Sequence, residues 1–300
     1  MTDERRHEDA VRDCYSTWSE NYYDRYYGPD AAYPPVHTEI LRGVLLESGA
    51  RSVLDAGCGP ASFLRSLTDL PLDLYGFDLT PEMVLEARRV LPDLGPERIW
   101  EGSVIEPESF RCPSGDPASF DAAVCVGVFP HIPAEIESGV LANLRNAVVE
   151  GGVVAVEARN QLFSLFTLNR YSHQFFVEHL IRPDGLREVF GAESDRVDEA
   201  LQGLEERFRM DIPPVRSGEG GKPGYDEVLS RTHNPIVLRE QLIEAGFREV
   251  KVLFYHYHAL PPMFESAMPE PFARASLAME DPTDWRGYFM ASAFLIVGRR

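Results

Sequence analysis

The stretch Val53-Leu54-Asp55-Ala56-Gly57-Cys58-Gly59-Pro60 constrains this chain more than any other part of it. A short, mostly apolar run bounded by turn residues suits a strand buried on both faces of a parallel sheet. Here the run stops at a glycine turn and then opens toward a helix. That geometry lets a ligand come close to the backbone, because glycine has no side chain in the way and accepts backbone angles other residues resist. A chain built around such a turn needs further strands and crossover helices to complete the sheet.

Those elements are present. Residues 36–47 place Val36, Ile40, Val44 and Leu45 near helical spacing, and Ser48-Gly49 ends the helix. A second strand spans 72–77 and closes at Asp78, and 81–91 forms a helix with proline in its first turn. A weak third strand covers 98–100, a strong fourth 120–126, a helix 134–149, and a fifth strand 153–156 after Gly151-Gly152. Alternation at this spacing predicts an α/β fold, a mostly parallel sheet with helices on both faces. The rhythm breaks over 160–233, where Leu162 to Leu168 and Phe175 to Leu180 suggest two apolar helical stretches and 194–210 a charged helix. The segment RSGEGGKPGYDE (216–227) is polar, rich in glycine and reads as a mobile loop. The block is therefore a helical insertion after strand 5, lying at the sheet's carboxyl edge and shaping a pocket there. A helix over 234–245 and strands over 248–257 and 291–297 restore the rhythm. The organisation is an aromatic N-terminal segment (1–35), an α/β domain (36–159 and 234–300) and the insertion (160–233), with no internal repeat.

Charge and cysteine usage narrow the partners. The 300 residues carry a formal charge of −19, and no block of Lys and Arg occurs. An acidic surface repels nucleic-acid backbones and anionic membranes, so neither is expected as a partner. Cys14, Cys58, Cys112 and Cys125 stand far apart, with no CxxC pair and no zinc spacing, as suits apolar fillers in a reducing compartment. The N-terminus is charged, and no apolar run reaches the ~18 residues of a membrane helix, so a cytoplasmic location is expected.

Two acids direct the chemistry. Asp55 precedes the first glycine and adds negative charge where a cationic group of a ligand could sit. A dinucleotide site wants the opposite there, since its pyrophosphate is an anion held by free N–H groups. The pattern Gly57-x-Gly59-x-x-Ser62 also lacks the third glycine of that fingerprint. Asp78 ends the second strand 23 residues beyond Asp55, near the distance at which an acid accepts hydrogen bonds from ribose hydroxyls.

The ordered motifs VLDAGCG, YGFDLTPEMVLEAR, FDAAVCVGVFPHI and GGVVAVEARN resemble the class I S-adenosylmethionine-dependent methyltransferase family, in its small-molecule type. The resemblance covers about residues 36–157 well and the two last strands less specifically. It implies a Rossmann-like seven-stranded sheet whose last strand is antiparallel and inserted beside the sixth. It also implies that S-adenosylmethionine is the cofactor. Asp55, Gly57 and Gly59 would hold its methionine end, Asp78 its ribose, and Leu79 and Met83 its adenine. Ser103 and Val104 stand where the family often has Gly-Asp contacting the adenine amino group, so a hydroxyl replaces that acid. Ala61 occupies a common third-glycine position. Cys125 and Val126 would line the sulfonium end.

The aromatic opening has two readings. Tyr15, Trp18 and Tyr22 recur at helical spacing and could simply pack on the sheet. Alternatively they cover the cofactor, as N-terminal helices do in similar methyltransferases, with Tyr22 foremost because ring faces attract cations. Candidate bases lie along the carboxyl edge. His131 follows strand 4, Glu157 ends strand 5 beside Arg159, and His256 and His258 share one face of strand 6 by its period of two. No metal is assigned, although two histidines beside Glu157 could hold one. At ~1.36 kcal/mol per pH unit, an amine of pKa ~10.4 costs about 4–5 kcal/mol to deprotonate at neutral pH, and an aliphatic hydroxyl near ~15.7 about 12. The function expected is methylation of a small-molecule amine or hydroxyl, such as a sugar, an antibiotic-like compound or another secondary metabolite. The alternatives are a nicotinamide-dependent oxidoreductase, disfavoured by Asp55 and Ser62, and a non-catalytic scaffold that binds the cofactor. A homodimer through the Phe-rich helices is left open.

Overall fold

Seven strands form one sheet: β1 (Ser52–Ala56), β2 (Asp73–Asp78), β3 (Ile99–Glu101), β4 (Phe120–Cys125), β5 (Val148–Arg159), β6 (Arg248–Tyr257) and β7 (Ala291–Arg299). The computed structural model describes residues 3–18, 21–28, 31, 33–213, 217–218 and 221–300. The strand order is β3-β2-β1-β4-β5-β7-β6. Strands β1 to β5 pair in parallel, and β7 lies antiparallel between β5 and β6. This is the Rossmann-like topology the motifs imply, the final strand entering beside the sixth.

The pleat sorts the core into two layers. Leu54, Phe77, Ala123 and Val154 face one side and pack with Leu141 and Leu144 of α6 (Glu137–Ala147) and Leu238 and Leu242 of α11 (Pro235–Glu244). Val53, Leu74, Val124 and Ala155 face the other, against Leu41 and Leu45 of α3 (Val36–Ser48), Phe63 of α4 (Ser62–Arg65) and Val84 and Ala87 of α5 (Pro81–Val90). Leu54, Phe77, Val154 and Leu144 are fully buried, and each such side chain contributes roughly 1.5–3 kcal/mol. Local signals end the helices where the sequence places them. Gly49 closes α3 in the left-handed region at φ 72°, and the Asn234 side chain accepts from the Ile236 N–H at 3.0 Å to cap α11.

The insertion exists, but it is more broken than its apolar pattern suggests. It contains α7 (Ser164–Thr167), α8 (Arg170–Phe175), a π-helical stretch (Phe176–Ile181), α9 (Pro183–Phe190) and α10 (Asp195–Glu205). Of the glycine-rich stretch predicted as a mobile loop, residues 216, 219 and 220 lie outside the described residues. A second helical excursion joins β6 to β7, with α12 (Pro269–Leu277) and α13 (Gly287–Met290), where the sequence reading placed only the α/β domain. Both excursions leave from the same edge, since Arg159 pairs with Ala293 and Tyr257 with Ala291. Helix α13 packs against α7.

Two polar devices fasten the excursions. Glu137, buried in α6, accepts from Arg231 at 2.7 Å and from His233 Nε2 at 3.0 Å. Burial alone would raise its carboxyl, but the His233 hydrogen bond and the adjoining positive charges hold it below the ordinary range. Asn160, also buried, directs its amide nitrogen at the carbonyls of Gly287 (3.1 Å), Tyr288 (3.0 Å) and Ala291 (2.8 Å). Its oxygen accepts from the Leu162 N–H at 3.0 Å, so one side chain ties the end of β5 to the start of β7. Asn160→Ala removes the side-chain donor that these carbonyls share, Gly287 keeping the Ala291 N–H that its carbonyl also accepts, and is expected to lower the unfolding free energy by about 2–4 kcal/mol in urea titrations.

Candidate active site

The glycine elbow is built as its sequence demands. After β1 the chain takes left-handed conformations at Gly57 (φ 85°), Gly59 (φ 53°) and Ala61 (φ 59°) before α4. A Cβ at position 57 would stand 2.3 Å from a Val128 methyl, so only glycine fits there. The N–H groups of Gly57 and Cys58 donate to the Phe77 carbonyl at 2.8 and 2.9 Å, which lashes the elbow to β2. Ala61 holds a conformation that costs a non-glycine residue roughly 1–2 kcal/mol.

Asp78 completes this tie. Its Oδ2 accepts from the Gly59 N–H and its Oδ1 from the Thr80 N–H, both at 2.8 Å. Burial raises its carboxyl, and those two N–H groups partly oppose the rise. Asp55, only 2% exposed, is treated differently. Its Oδ1 has no hydrogen-bond partner among the described residues. Burial first, and then the charge of Asp78, push its carboxyl up to about 8. An orphaned carboxylate this deep costs stability unless a donor or a cation reaches it.

A cavity opens over the elbow. Of the predicted cofactor residues, Gly57, Gly59, Asp78, Leu79, Met83, Ser103, Val104, Val126 and Tyr22 lie on its wall. Asp55 and Cys125 do not. Asp55 lies in the strand just before the glycines. Cys125 is fully buried, packed in the core layer with Ala56 and Phe129. The sequence reading missed one helix face. His7, Glu8 and Val11, three or four residues from one another or from the already named Tyr15 apart from the adjacent pair His7-Glu8, form with Tyr15 a wall of the cavity on α1 (Asp3–Ser16). Counting the period of 3.6 back from Tyr15 would have found them. Arg12 anchors that helix, its Nε donating to the Leu79 carbonyl at 3.2 Å.

His131 is the predicted base that reaches the cavity. Its Nδ1 lies 2.7 Å from the Leu229 carbonyl, which can only accept, so Nδ1 carries the proton. Its Nε2 lone pair then faces the Tyr15 hydroxyl at 2.9 Å. Burial lowers this imidazole to about 4, and the Leu229 bond only partly counters it, so the ring is neutral at pH 7. Burial also lifts the Tyr15 phenol well above its ordinary value, which keeps it a donor.

The other three candidates stand elsewhere. Glu157 accepts from the Gly127 N–H at 2.5 Å and the Tyr255 hydroxyl at 2.6 Å, so both its oxygens hold structure at the end of β4. His256 and His258 stack on each other at 5.2 Å, away from the cavity wall. The two histidines do share a side, as the period of two implies, but left-handed His256 (φ 61°) breaks the alternation around it, so that Phe254 and Tyr257 fall in the same core layer. His256 packs on Tyr33 and His258 on Phe163 and Phe272. Among the described residues, no group of three or more His, Cys, Asp or Glu is placed to hold a metal ion. No helix of the described chain is long and apolar enough to cross a membrane. The insertion's helices do not line the cavity either. Their apolar faces meet one another and α13, and among the described residues the block touches the site through its return segment, where Leu229 and Tyr225 flank His131.

The raised carboxyl of Asp55 sets a pH signature. Its penalty is absent below the unfolded value near 4 and grows as pH rises toward 8, because folding then opposes ionisation. Asp55→Asn removes that penalty. Its melting temperature is expected to exceed that of the native chain at pH 8 and to converge with it near pH 4, as calorimetric scans across that range would show.

Residues 54–154 match a family described as a methyltransferase domain. A ubiquinone biosynthesis O-methyltransferase from Paraburkholderia phymatum is 30% identical over 142 residues, which cover 46% of this chain and 59% of that protein. One from Xanthomonas euvesicatoria pv. vesicatoria is 27% identical over 140 residues, 47% and 56% of the two chains. The chain thus spans less than two thirds of the length of these curated relatives. An S-adenosylmethionine-dependent methyltransferase from Clostridium acetobutylicum shares the fold at 12% identity and a TM-score of 0.54, covering 95% of this chain and 98% of its own. The match over residues 54–154, the strand order and the glycine elbow agree: this region is similar to a methyltransferase domain, set in a Rossmann-like sheet.

Proposed function

We propose that this protein transfers the methyl group of S-adenosylmethionine to a hydroxyl oxygen of a small, phenol-like acceptor. The observation that carries the cofactor half is the unpartnered Asp55 oxygen beside the glycine elbow. The cofactor's ammonium group is the kind of partner that oxygen lacks, Asp78 keeps lone pairs for ribose hydroxyls, and Leu79 and Met83 offer apolar faces for a flat base. The residues present therefore fit the cofactor. Bound there, it would supply an electrophilic sulfonium methyl. A pyrophosphate would instead bring its charge toward two buried carboxylates, which disfavours the oxidoreductase reading.

The acceptor half rests on His131 and Tyr15. Alignment of the reacting atoms can supply roughly 7–11 kcal/mol, so the side chains need only orient the acceptor and take its proton. An acceptor hydroxyl beside Tyr15 passes its proton through the phenol to His131 Nε2 as the new C–O bond forms, when the oxygen becomes strongly acidic. A base depressed to about 4 is too weak to ionise an aliphatic hydroxyl beforehand. Passing the proton of a phenol near pKa ~10 to a base near 4 costs about 8 kcal/mol at ~1.36 per unit, against about 16 for an aliphatic hydroxyl near ~15.7. The curated relatives are named for O-methylation in ubiquinone biosynthesis, which supports the same choice.

Titration calorimetry with S-adenosylhomocysteine tests the cofactor half: micromolar binding is expected, and no heat at millimolar ligand would overturn it. A panel of catechols, phenols, sugars and amines tests the acceptor half, with transfer expected to the phenolic members alone. His131→Ala should lower kcat by about 10²–10⁴ while leaving affinity for S-adenosylhomocysteine within a few-fold.

A further inference from the structure

We propose that Glu8, from the N-terminal helix α1, recognises the exocyclic amino group of the cofactor's adenine, the task that the side chain at position 103 no longer performs. The inference rests on the cofactor reading above. At the end of the cavity walled by Leu79, Met83 and Val104, the polar side chains are Ser103, Thr80 and Glu8, with His7 beside Glu8. Ser103 has little left to offer. Its oxygen accepts from the Ile105 N–H at 3.2 Å, its backbone N–H is taken by Ser109 Oγ at 3.0 Å, and its single hydroxyl proton goes to Glu8. Thr80 is buried at the start of α5.

Glu8 is in the opposite condition. It is partly buried at the cavity wall, and an ionised carboxylate accommodates about four hydrogen bonds. Ser103 is the hydrogen-bond donor it meets among the described residues. Burial raises its carboxyl despite that bond, the mark of a desolvated acceptor short of donors. An adenine amino group lying between the apolar walls presents the N–H this oxygen lacks, and the resulting bond is charge-assisted. Position is held from two sides. Arg12, one turn further along α1, donates to the carbonyl of Leu79, the residue that also walls the base, and Tyr15 two turns along bonds His131. The helix that covers the cleft thereby carries a specificity-determining group, so that closing the cleft and reading the base become one event.

A plain structural latch between Glu8 and Ser103 is the competing account, and nucleobase discrimination separates the two. The native chain, Glu8→Ala and Ser103→Ala would each be titrated with S-adenosylhomocysteine and with its analogue lacking the exocyclic amino group. The native chain is expected to prefer the amino-bearing ligand about tenfold or more. Glu8→Ala should lose that preference, binding both ligands about equally, whereas Ser103→Ala should keep it. Equal weakening toward both ligands in Glu8→Ala, or loss of the preference in Ser103→Ala alone, would overturn the assignment to Glu8. Failure of the native chain to bind either ligand would instead overturn the cofactor reading and this inference with it.

Discussion

Negative charge gathers at one end of the sheet, and the fold answers it unevenly. Asp55, Asp78 and Glu157 lie at or near the carboxyl ends of β1, β2 and β5, on the face that packs against α3. Desolvation of three acids so near each other would be prohibitive without donors. Two of them are provided for: Asp78 by the N–H groups of Gly59 and Thr80, Glu157 by the Gly127 N–H and the Tyr255 hydroxyl. Each of those arrangements also fixes a glycine turn that walls the cavity. Asp55 is the acid left with a bare oxygen. The destabilisation is therefore not spread over the edge but concentrated at one carboxylate, beside the turn where a cationic ligand can approach backbone. Affinity for such a ligand and strain in the free chain are two faces of one desolvated charge.

The aromatic N-terminal segment follows from the same electrostatics. An exposed cleft above Asp55 and Asp78 would let water screen both acids, and the pull on a bound cation would fall with the higher dielectric. Helix α1 and the tyrosines after it close that route. Tyr15 and Tyr22 reach the cavity, and Tyr22 packs against Trp18 and Tyr26 at 6.4 and 5.0 Å between ring centroids. Arg25 over the Trp18 ring and Arg65 over the Tyr23 ring, 5.2 and 3.7 Å from the centroids, brace the cluster from outside. The two readings of these aromatics, packing and cofactor cover, thus describe the same residues. A ring cluster packed against the cavity mouth is what a cover consists of.

Much of this was legible in the chain itself. The strand–helix rhythm, the Gly57–Gly59 elbow and Asp78 are local signals, and each sits where its spacing puts it. What escaped depends on long-range packing. Helix α1 was visible as helix-capable, but nothing local said that His7, Glu8 and Val11 would face a cavity formed largely by residues 57–136, far along the chain. His256 and His258 share a side, as alternation along the strand implied, but their stack stands off the cavity wall, which the period of one strand does not reveal. The 258–290 excursion hid because its helices are short, nine residues in α12 and four in α13, which leaves little periodic pattern to read. Glu157 looked like a base because its position is right; only the hydrogen bonds show its oxygens already engaged.

The insertion's part in function then has to be indirect. Its helices stay off the cavity wall, yet the return segment supplies the one carbonyl, Leu229, that sets the tautomer of His131. That segment is held by Arg231, which donates to the Pro130 and Ile132 region and to buried Glu137, and by His233 on the same carboxylate. Without the Leu229 acceptor the imidazole could place its proton on Nε2, which would then donate to the Tyr15 oxygen and leave the ring's lone pair on Nδ1, facing away from Tyr15. The return segment thereby sets which ring nitrogen offers its lone pair to Tyr15. This is also why the chain's excursions leave from the carboxyl edge and come back to it: the same edge holds the acids, the elbow and the histidine, and only a segment returning there can orient them.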